Sequence, residues 1–180
     1  GIGNSGVIAT TTGSILLNGN WTMSGTGYLD AGTGTVYFTG TGTQTLLPGS
    51  VAADYFYNLV HNAAGTVDLS TNALDINGSF TNSAGRFNQN FVNMAVAMDW
   101  NNTSGASPSF DPGAGVGAGG TVTLDGADQT ITGATTFYNL SKPITAGPVQ
   151  TLNFEALKEQ KVQNRILLRG FDLATLLFIR

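Results

Sequence analysis

The side chains best suited to chemistry in this chain are its eleven acidic residues. Asp68 and Asp75 stand out among them because each lies between two aliphatic residues, in the runs VDL and LDI. In a strand, such alternation places both carboxylates on the outer side. Two carboxylates about 5 to 9 Å apart can hydrolyse a glycosidic bond, and carboxylates with backbone oxygens can bind Ca²⁺. No calcium-loop motif is present, so we favour a solubilising role. We predict no catalytic residue and no cofactor, with Ca²⁺ at Asp68 and Asp75 as the alternative.

The single histidine, His61, follows the run FYNLV, where we predict a solvated residue in a turn. A Ser-His-Asp triad would need a G-x-S-x-G elbow, which the sequence lacks, and one histidine cannot build a zinc site. The chain has no Cys, which excludes disulfides and thiolate metal sites. Residues 1–6 match G-x-G-x-x-G, but that motif signals a dinucleotide only between a strand and a helix. We interpret it here as a loop.

The aromatic residues suggest either a sugar-stacking platform or a core. Trp21 and Trp100 recur at one place in a short pattern, an aromatic residue followed by Ser-Gly. Equivalent residues of successive coils stack in solenoids, and aromatic rings gain from such contacts. We therefore predict that the two tryptophans belong to a core ladder. The residues that would form an exposed platform are Tyr28, Tyr37, Tyr55, Tyr57 and Tyr138.

A repeat positions these residues. Residues 35–65 resemble 121–147: both copies read Thr-Val, a Gly, Gln-Thr and then Phe-Tyr-Asn-Leu, and their difference in length falls in the loop PGSVAAD. Internal repeats that keep their strands and vary their loops indicate a stacked unit. We predict a structural ladder of the residues that the copies share. They are Trp21, Trp100, Phe56, Phe137, Asn58, Asn139, Leu59 and Leu140, with the two asparagines bonding backbone groups where the coil bends.

Composition and alternation predict an all-β chain. Charged residues make up 10% of the sequence, and Gly accounts for 25 of 180 residues, which favours Thr-rich strands separated by Gly and Asn turns. Short alternating runs such as TVYF and TVTL predict strands with one buried face. We predict a parallel β-helix, with a β-sandwich as the alternative, forming either a single domain over 1–180 or a segment of a longer array. The segment 155–165 fits a strand or a helix, and 176–179 reads as a strand.

Charge and hydropathy exclude several classes of function. The net charge of −4 argues against a nucleic-acid partner. No run of about 18 apolar residues occurs, so we expect no membrane span. The first residues, GIGNSGVIATTTGS, lack the basic start and apolar segment of a signal peptide.

The runs TVYFTGTGTQTL, TVTLDGADQTITGATTFYNL and TLNFEA resemble repeats of very long bacterial surface and secreted proteins, such as autotransporter and haemagglutinin-type adhesin shafts. The resemblance covers most of the chain from about residue 16. It implies a β-solenoid displayed outside the cell with structural or adhesive work, and it carries over no catalytic residue.

We therefore expect an extracellular structural module, at the cell surface, that forms a stiff shaft or filament by end-to-end stacking, with copies of itself or adjacent repeats as partners. One alternative is a glycan-binding adhesin module, which needs aromatic rings exposed on one wall. The other is a β-helix enzyme that cleaves polysaccharides, which needs carboxylates converging in a groove.

Overall fold

The computed structural model describes residues 7–113, 119–143 and 150–168. Throughout this part of the chain the regular structure is β, with no helix. The strands are β1 (Val7–Ala9), β2 (Ser14–Leu17), β3 (Trp21–Thr22), β4 (Tyr28–Asp30), β5 (Thr35–Phe38), β6 (Thr43–Leu47), β7 (Asn58–His61), β8 (Thr66–Leu69), β9 (Leu74–Ile76), β10 (Phe80–Asn82), β11 (Arg86–Asn88), β12 (Met94–Val96), β13 (Trp100–Asn102), β14 (Phe110–Asp111), β15 (Thr121–Leu124), β16 (Gln129–Thr132), β17 (Thr135–Lys142), β18 (Leu152–Phe154) and β19 (Gln160–Leu168).

The strands stack into three parallel sheets that form the sides of a solenoid. Sheet I contains seven strands, β2, β5, β7, β10, β13, β16 and β18, and sheet II contains β3, β6, β8, β11 and β14. Sheet III contains β9, β12, β15, β17 and β19. A separate two-stranded sheet, β1–β4, forms the same side of the solenoid in the first two coils. The chain passes through sides III, I and II in turn and then begins the next coil, giving about seven turns. Because every pairing is parallel, the β-helix prediction is confirmed over the β-sandwich, whose sheets are antiparallel.

Alternation along each strand sends every second side chain into the core. In sheet I the in-register column Val36, Leu59, Phe80, Trp100 and Ile131 is buried throughout. At its centre, the Phe80 ring lies 4.4 Å from the Trp100 ring and 4.9 Å from the Phe87 ring, measured between centroids. This aromatic cluster also includes Phe110 and Phe137, so the middle coils hold the largest apolar groups.

Each copy of the repeat found in the sequence spans one complete coil and the strand that begins the next coil. Thr35 and Val36 lie in register with Asn58 and Leu59 of the next coil, and Thr121 and Val122 lie in register with Asn139 and Leu140. The first copy begins in sheet I, however, and the second begins in sheet III. The repeat is therefore rotated by one side of the solenoid.

Rotation explains why equivalent residues do not stack on one another, which corrects the predicted ladder. Trp21 belongs to sheet II and pairs with Leu46, whereas Trp100 belongs to sheet I between Phe80 and Ile131. Both tryptophans are buried. Each contributes to the core in its own column, because three similar sides can accept the same sequence pattern.

Other predictions concern segments at or near the borders of the described residues. Within 155–165, the structure has a turn followed by the start of β19, so the strand alternative holds from residue 160. The G-x-G-x-x-G motif at 1–6, most of the Gly-rich loop at 112–120, the end of the second repeat at 144–147 and the strand expected at 176–179 lie outside the described residues.

Candidate functional site

The two carboxylates singled out in the sequence do not form a pair. Asp68 belongs to β8 in sheet II and Asp75 to β9 in sheet III, because the chain turns a corner between them. Asp68 Oδ1 accepts a hydrogen bond of 3.0 Å from Asn88 Nδ2 in the next coil. Burial first, and then the charges of Asp125 and Asp54, raise the pKa of Asp75. Within the described residues, no group of three or more His, Asp or Glu side chains is arranged to hold a metal ion.

His61 is buried, which corrects the prediction of a solvated turn residue. It is 0% exposed, and it ends β7 in phase with the inward Leu59. Its Nδ1 lies 2.9 Å from Asn82 Oδ1, while its Nε2 is buried and has no hydrogen-bond partner in the described part of the chain. Burial lowers the pKa of His61, and the hydrogen bond with Asn82 opposes that shift only in part.

A polar network continues from His61 through the core. Asn82 Nδ2 donates to Asn102 Oδ1 at 3.0 Å, and Asn102 Nδ2 donates to Ser109 Oγ at 2.9 Å and to Thr135 Oγ1 at 3.2 Å. The indole N–H of Trp100 donates to the same Thr135 oxygen at 3.1 Å. Four coils are thus tied together by buried amide, hydroxyl and imidazole groups. The sequence signal that we missed is a spacing of two residues. His61, Asn82 and Asn102 each follow an inward apolar residue by two positions, which places their side chains on the inner side of the strand.

The network ends beside a groove of about 230 Å³ that is lined by residues of β14 and of the beginnings of β17 and β19. Ser109 and Thr135 contribute to its wall, together with Pro108, Glu159 and Lys161. Thr135 is 3% exposed, and its oxygen already accepts two hydrogen bonds. Its own O–H has no acceptor among the described residues, so it is a donor beside the groove.

Lys142 occupies the second repeat at the position that His61 occupies in the first. It is 0% exposed, and its ammonium group donates to Gly126 O, to Ala127 O at 2.9 Å and to Gln129 Oε1 at 2.6 Å. Burial lowers the pKa of Lys142, although Asp125 and Asp128 oppose that shift. All three of its donors are used, so Lys142 fastens a turn and is not free for chemistry.

The tyrosines do not share one wall. Tyr37 points outward from sheet I, in register with the outward Leu16 and Val60. Tyr55 and Tyr57 pack against the core, and the Tyr57 hydroxyl lies 4.0 Å from the Met98 sulfur. The remaining two, Tyr28 in β4 and Tyr138 in β17, are half-buried.

The last described coil leaves apolar residues of the core columns exposed. Phe154 lies in register with the buried Ile131, and Ile166 lies in register with the buried Leu140. Yet Phe154 is 52% exposed and Ile166 is 53% exposed. In the first described coil, the core residues Ile8, Ile15 and Leu17 are likewise only partly buried.

No protein-family model, curated protein or solved structure matches the chain. The class of protein is therefore defined by the structure itself, a three-sided parallel β-solenoid. In the described part of the chain, no helix has the length and apolar character required to cross a membrane.

Proposed function

We propose that this chain is a structural module of an extracellular shaft or filament, in which solenoids stack end to end. The observation that carries the proposal is the exposure of Phe154 and Ile166, which continue buried columns of the core. Parallel strands also present unpaired backbone groups at the edge of a stack, and these groups can pair with another coil. The low content of charged residues and the resemblance to adhesin shafts support an extracellular location.

Stacking of this kind is a heterologous contact that need not close, and it produces filaments. The first described coil offers Ile8, Ile15 and Leu17, which are partly buried, as the surface that would receive Phe154 and Ile166. Covering these side chains would remove apolar surface from water, at roughly 25 cal/mol per Å². The mechanism is mechanical, since continuous backbone ladders resist bending.

Assembly can be tested with the double variant Phe154→Ser/Ile166→Ser, measured by sedimentation velocity and negative-stain electron microscopy over a range of concentrations. We expect the unaltered protein to form fibres as its concentration rises and the double variant to stay dispersed. The control is Leu16→Ser, which removes an outward side chain that is 73% exposed and should leave the fibres intact. Dispersed particles of the unaltered protein at every concentration would contradict the proposal.

Glycan binding is a second candidate function, and the groove beside Ser109 and Thr135 favours it. The groove combines an unused hydroxyl donor with the apolar Pro108 and the charged Glu159 and Lys161. Sugar hydroxyl groups both donate and accept hydrogen bonds, and a few polar groups in a partly apolar pocket suit them.

This candidate can be tested by saturation-transfer NMR with the methyl glycosides of glucose, galactose and N-acetylglucosamine. We expect transfer to at least one of them, with a loss in Glu159→Gln and in Lys161→Gln. Lys158→Gln is the matched control, because Lys158 is exposed and lies outside the groove lining. An absence of transfer to all three glycosides would rule out this site.

A further inference from the structure

His61 and Lys142 hold the same position of the repeat but differ in their hydrogen bonding. In the runs FYNLVH and FYNLSK each is the last residue, and each side chain is 0% exposed in the core. The Lys142 ammonium reaches three acceptors. His61 reaches one partner, Asn82, and leaves Nε2 unpaired. One core position thus carries a fully satisfied cation in one copy and a half-satisfied imidazole in the other.

The network fixes the tautomer of His61. Asn82 Nδ2 donates to Asn102 Oδ1 at 3.0 Å and to the carbonyl oxygen of Ser109 at 2.8 Å, so Asn82 Oδ1 must be the atom that faces His61. An amide oxygen only accepts, and therefore His61 Nδ1 carries the proton. Its Nε2 then carries a lone pair that is buried from the solvent surface, and no donor from the described residues reaches it.

Among the described residues, the neighbours of His61 in the paired strands carry no negative charge that would stabilise an imidazolium. Its in-register neighbours are Phe38 in β5 and Asn82 in β10, and Gly85 lies against the edge of its ring. None of these three residues titrates. Of the charged residues in sheet II, Arg86 forms an ion pair with Asp111, and Asp68 accepts a hydrogen bond from Asn88.

We propose that His61 makes β7, β10 and β13 an acid-sensitive joint, because a proton on Nε2 would be a buried donor without an acceptor. In a solenoid each coil contacts only its neighbours, so the loss is local. The joint would open in the middle of the stack while the coils around Lys142 stay closed. This inference holds whether or not the solenoids stack end to end.

The direction of the pH dependence follows from burial, which lowers the pKa of folded His61 below its ordinary 6.5. The open form therefore takes up a proton first as the pH falls. The equilibrium for local opening should rise below pH 6.5, by up to about tenfold per pH unit, until the folded pKa is reached.

Two measurements test the joint. Because His61 is the only histidine, its imidazole signals in NMR are unambiguous, and we expect an Nδ1–H tautomer with a pKa below 6.5 in the folded protein. Hydrogen exchange, corrected for the intrinsic pH dependence, should show faster opening of β7, β10 and β13 between pH 7 and pH 5, with little change in β15 and β17. A folded-state pKa of 6.5 or above, or a uniform loss of protection, would overturn the proposal.

A matched pair of variants separates His61 from the carboxylates that also titrate in acid. His61→Gln keeps a side chain that can donate to Asn82 and removes the titration, so the extra opening between pH 7 and pH 5 should disappear. The double variant His61→Gln/Asn62→His places an imidazole on the exposed neighbouring residue, and it should behave like His61→Gln. If His61→Gln fails to fold, the NMR titration of the unaltered protein still decides the question.

Discussion

At the scale of single residues, side-chain oxygens at the corners fasten one coil to the next. Asn20, Asp99 and Asp128 accept hydrogen bonds of 2.8 Å from the backbone N–H groups of Thr45, Thr130 and Thr151 respectively. Hydrogen bonds from the Thr151 hydroxyl and backbone lower the pKa of Asp128. The amide of Asn20 and the carboxylates of Asp99 and Asp128 therefore serve the backbone.

Asp54 is the extreme case of this fastening. The loop PGSVAAD, which ends in Asp54, interrupts the ladder on side III. There the two carboxylate oxygens of Asp54 accept hydrogen bonds from the N–H groups of Leu29 at 2.7 Å and Gly49 at 2.6 Å. Asp54 is 7% exposed. A buried carboxylate that accepts two backbone donors replaces the carbonyl oxygens that a regular strand would supply.

Asp75 is the carboxylate whose removal should improve stability. Burial, Asp125 and Asp54 together raise the pKa of Asp75 above its ordinary 3.8, so the folded protein holds this proton more tightly than the unfolded chain. The free energy of unfolding therefore falls as the pH rises from 3.8 through the raised pKa. Asp75→Asn should stabilise the protein at pH 7, by less than about 1 kcal/mol because partial exposure screens the charges, and the gain should vanish near pH 3.

Urea denaturation at the two pH values measures this effect. Asp68→Asn is the matched control, because Asp68 also points outward between aliphatic residues but accepts a hydrogen bond from Asn88. It should give no gain at pH 7. An equal gain from both variants would show that general charge reduction, and not the setting of Asp75, is responsible.

At the scale of elements, each repeat joins its coil to the preceding one through a buried glutamine. Gln44 Nε2 donates to the carbonyl oxygens of Leu17 and Gly19, and Gln129 Nε2 donates to those of Val96 and Met98. Both glutamines are at most 2% exposed. The Gln-Thr pair visible in the sequence repeat therefore lies at the start of a strand, where its glutamine binds the carbonyl groups of the preceding coil.

The turn before β11 requires a glycine. Gly85 has a φ of +62°, and a Cβ at this position would collide with the carbonyl oxygens of Ala63 and Gly65 in the preceding coil. Gly85→Ala should reduce the free energy of unfolding by roughly 2 kcal/mol or more, from strain and backbone displacement together. Gly19→Ala is the control, since nothing lies within 4 Å of a Cβ there. Equal melting temperatures for the two variants would contradict this account.

Much of the fold follows from alternation, which the sequence displays openly. Runs such as TVYF and TVTL place Val36 and Val122 inward without any knowledge of the partner strand. The same rule places His61 inward, because it follows the inward Leu59 by two residues. Our prediction of a solvated His61 relied on the usual exposure of histidine and not on the phase of the strand. The hypothesis that Asp68 and Asp75 form a pair was wrong for another reason. Alternation predicts whether a side chain points to the inner or outer side of a strand, but it does not predict which of the three sheets the strand joins.

At the scale of the whole molecule, the stack is a row of coils whose stability depends on nearest neighbours. The aromatic cluster around Phe80 joins coils at the centre, and Phe80 itself is 0% exposed and contacts the rings of Phe87, Trp100 and Phe110. Ile15, in the first described coil, is only partly buried. We therefore expect a substitution at the centre to unfold the coils there and separate the two ends of the stack, whereas a substitution in the first coil should destabilise only that coil.

Phe80→Ala should reduce the free energy of unfolding by about 3–5 kcal/mol, as large-to-small changes in a closed core do. Hydrogen exchange should quicken in β7, β10 and β13 first, and then spread outward as each coil loses its neighbour. Ile15→Ala should cost less than half as much and should quicken exchange in β2 and β5 alone, because one face of that coil is already accessible. If both variants quicken exchange equally along the whole stack, the solenoid unfolds as one cooperative unit, and the local acid-sensitive joint at His61 could not operate independently of the coils around Lys142.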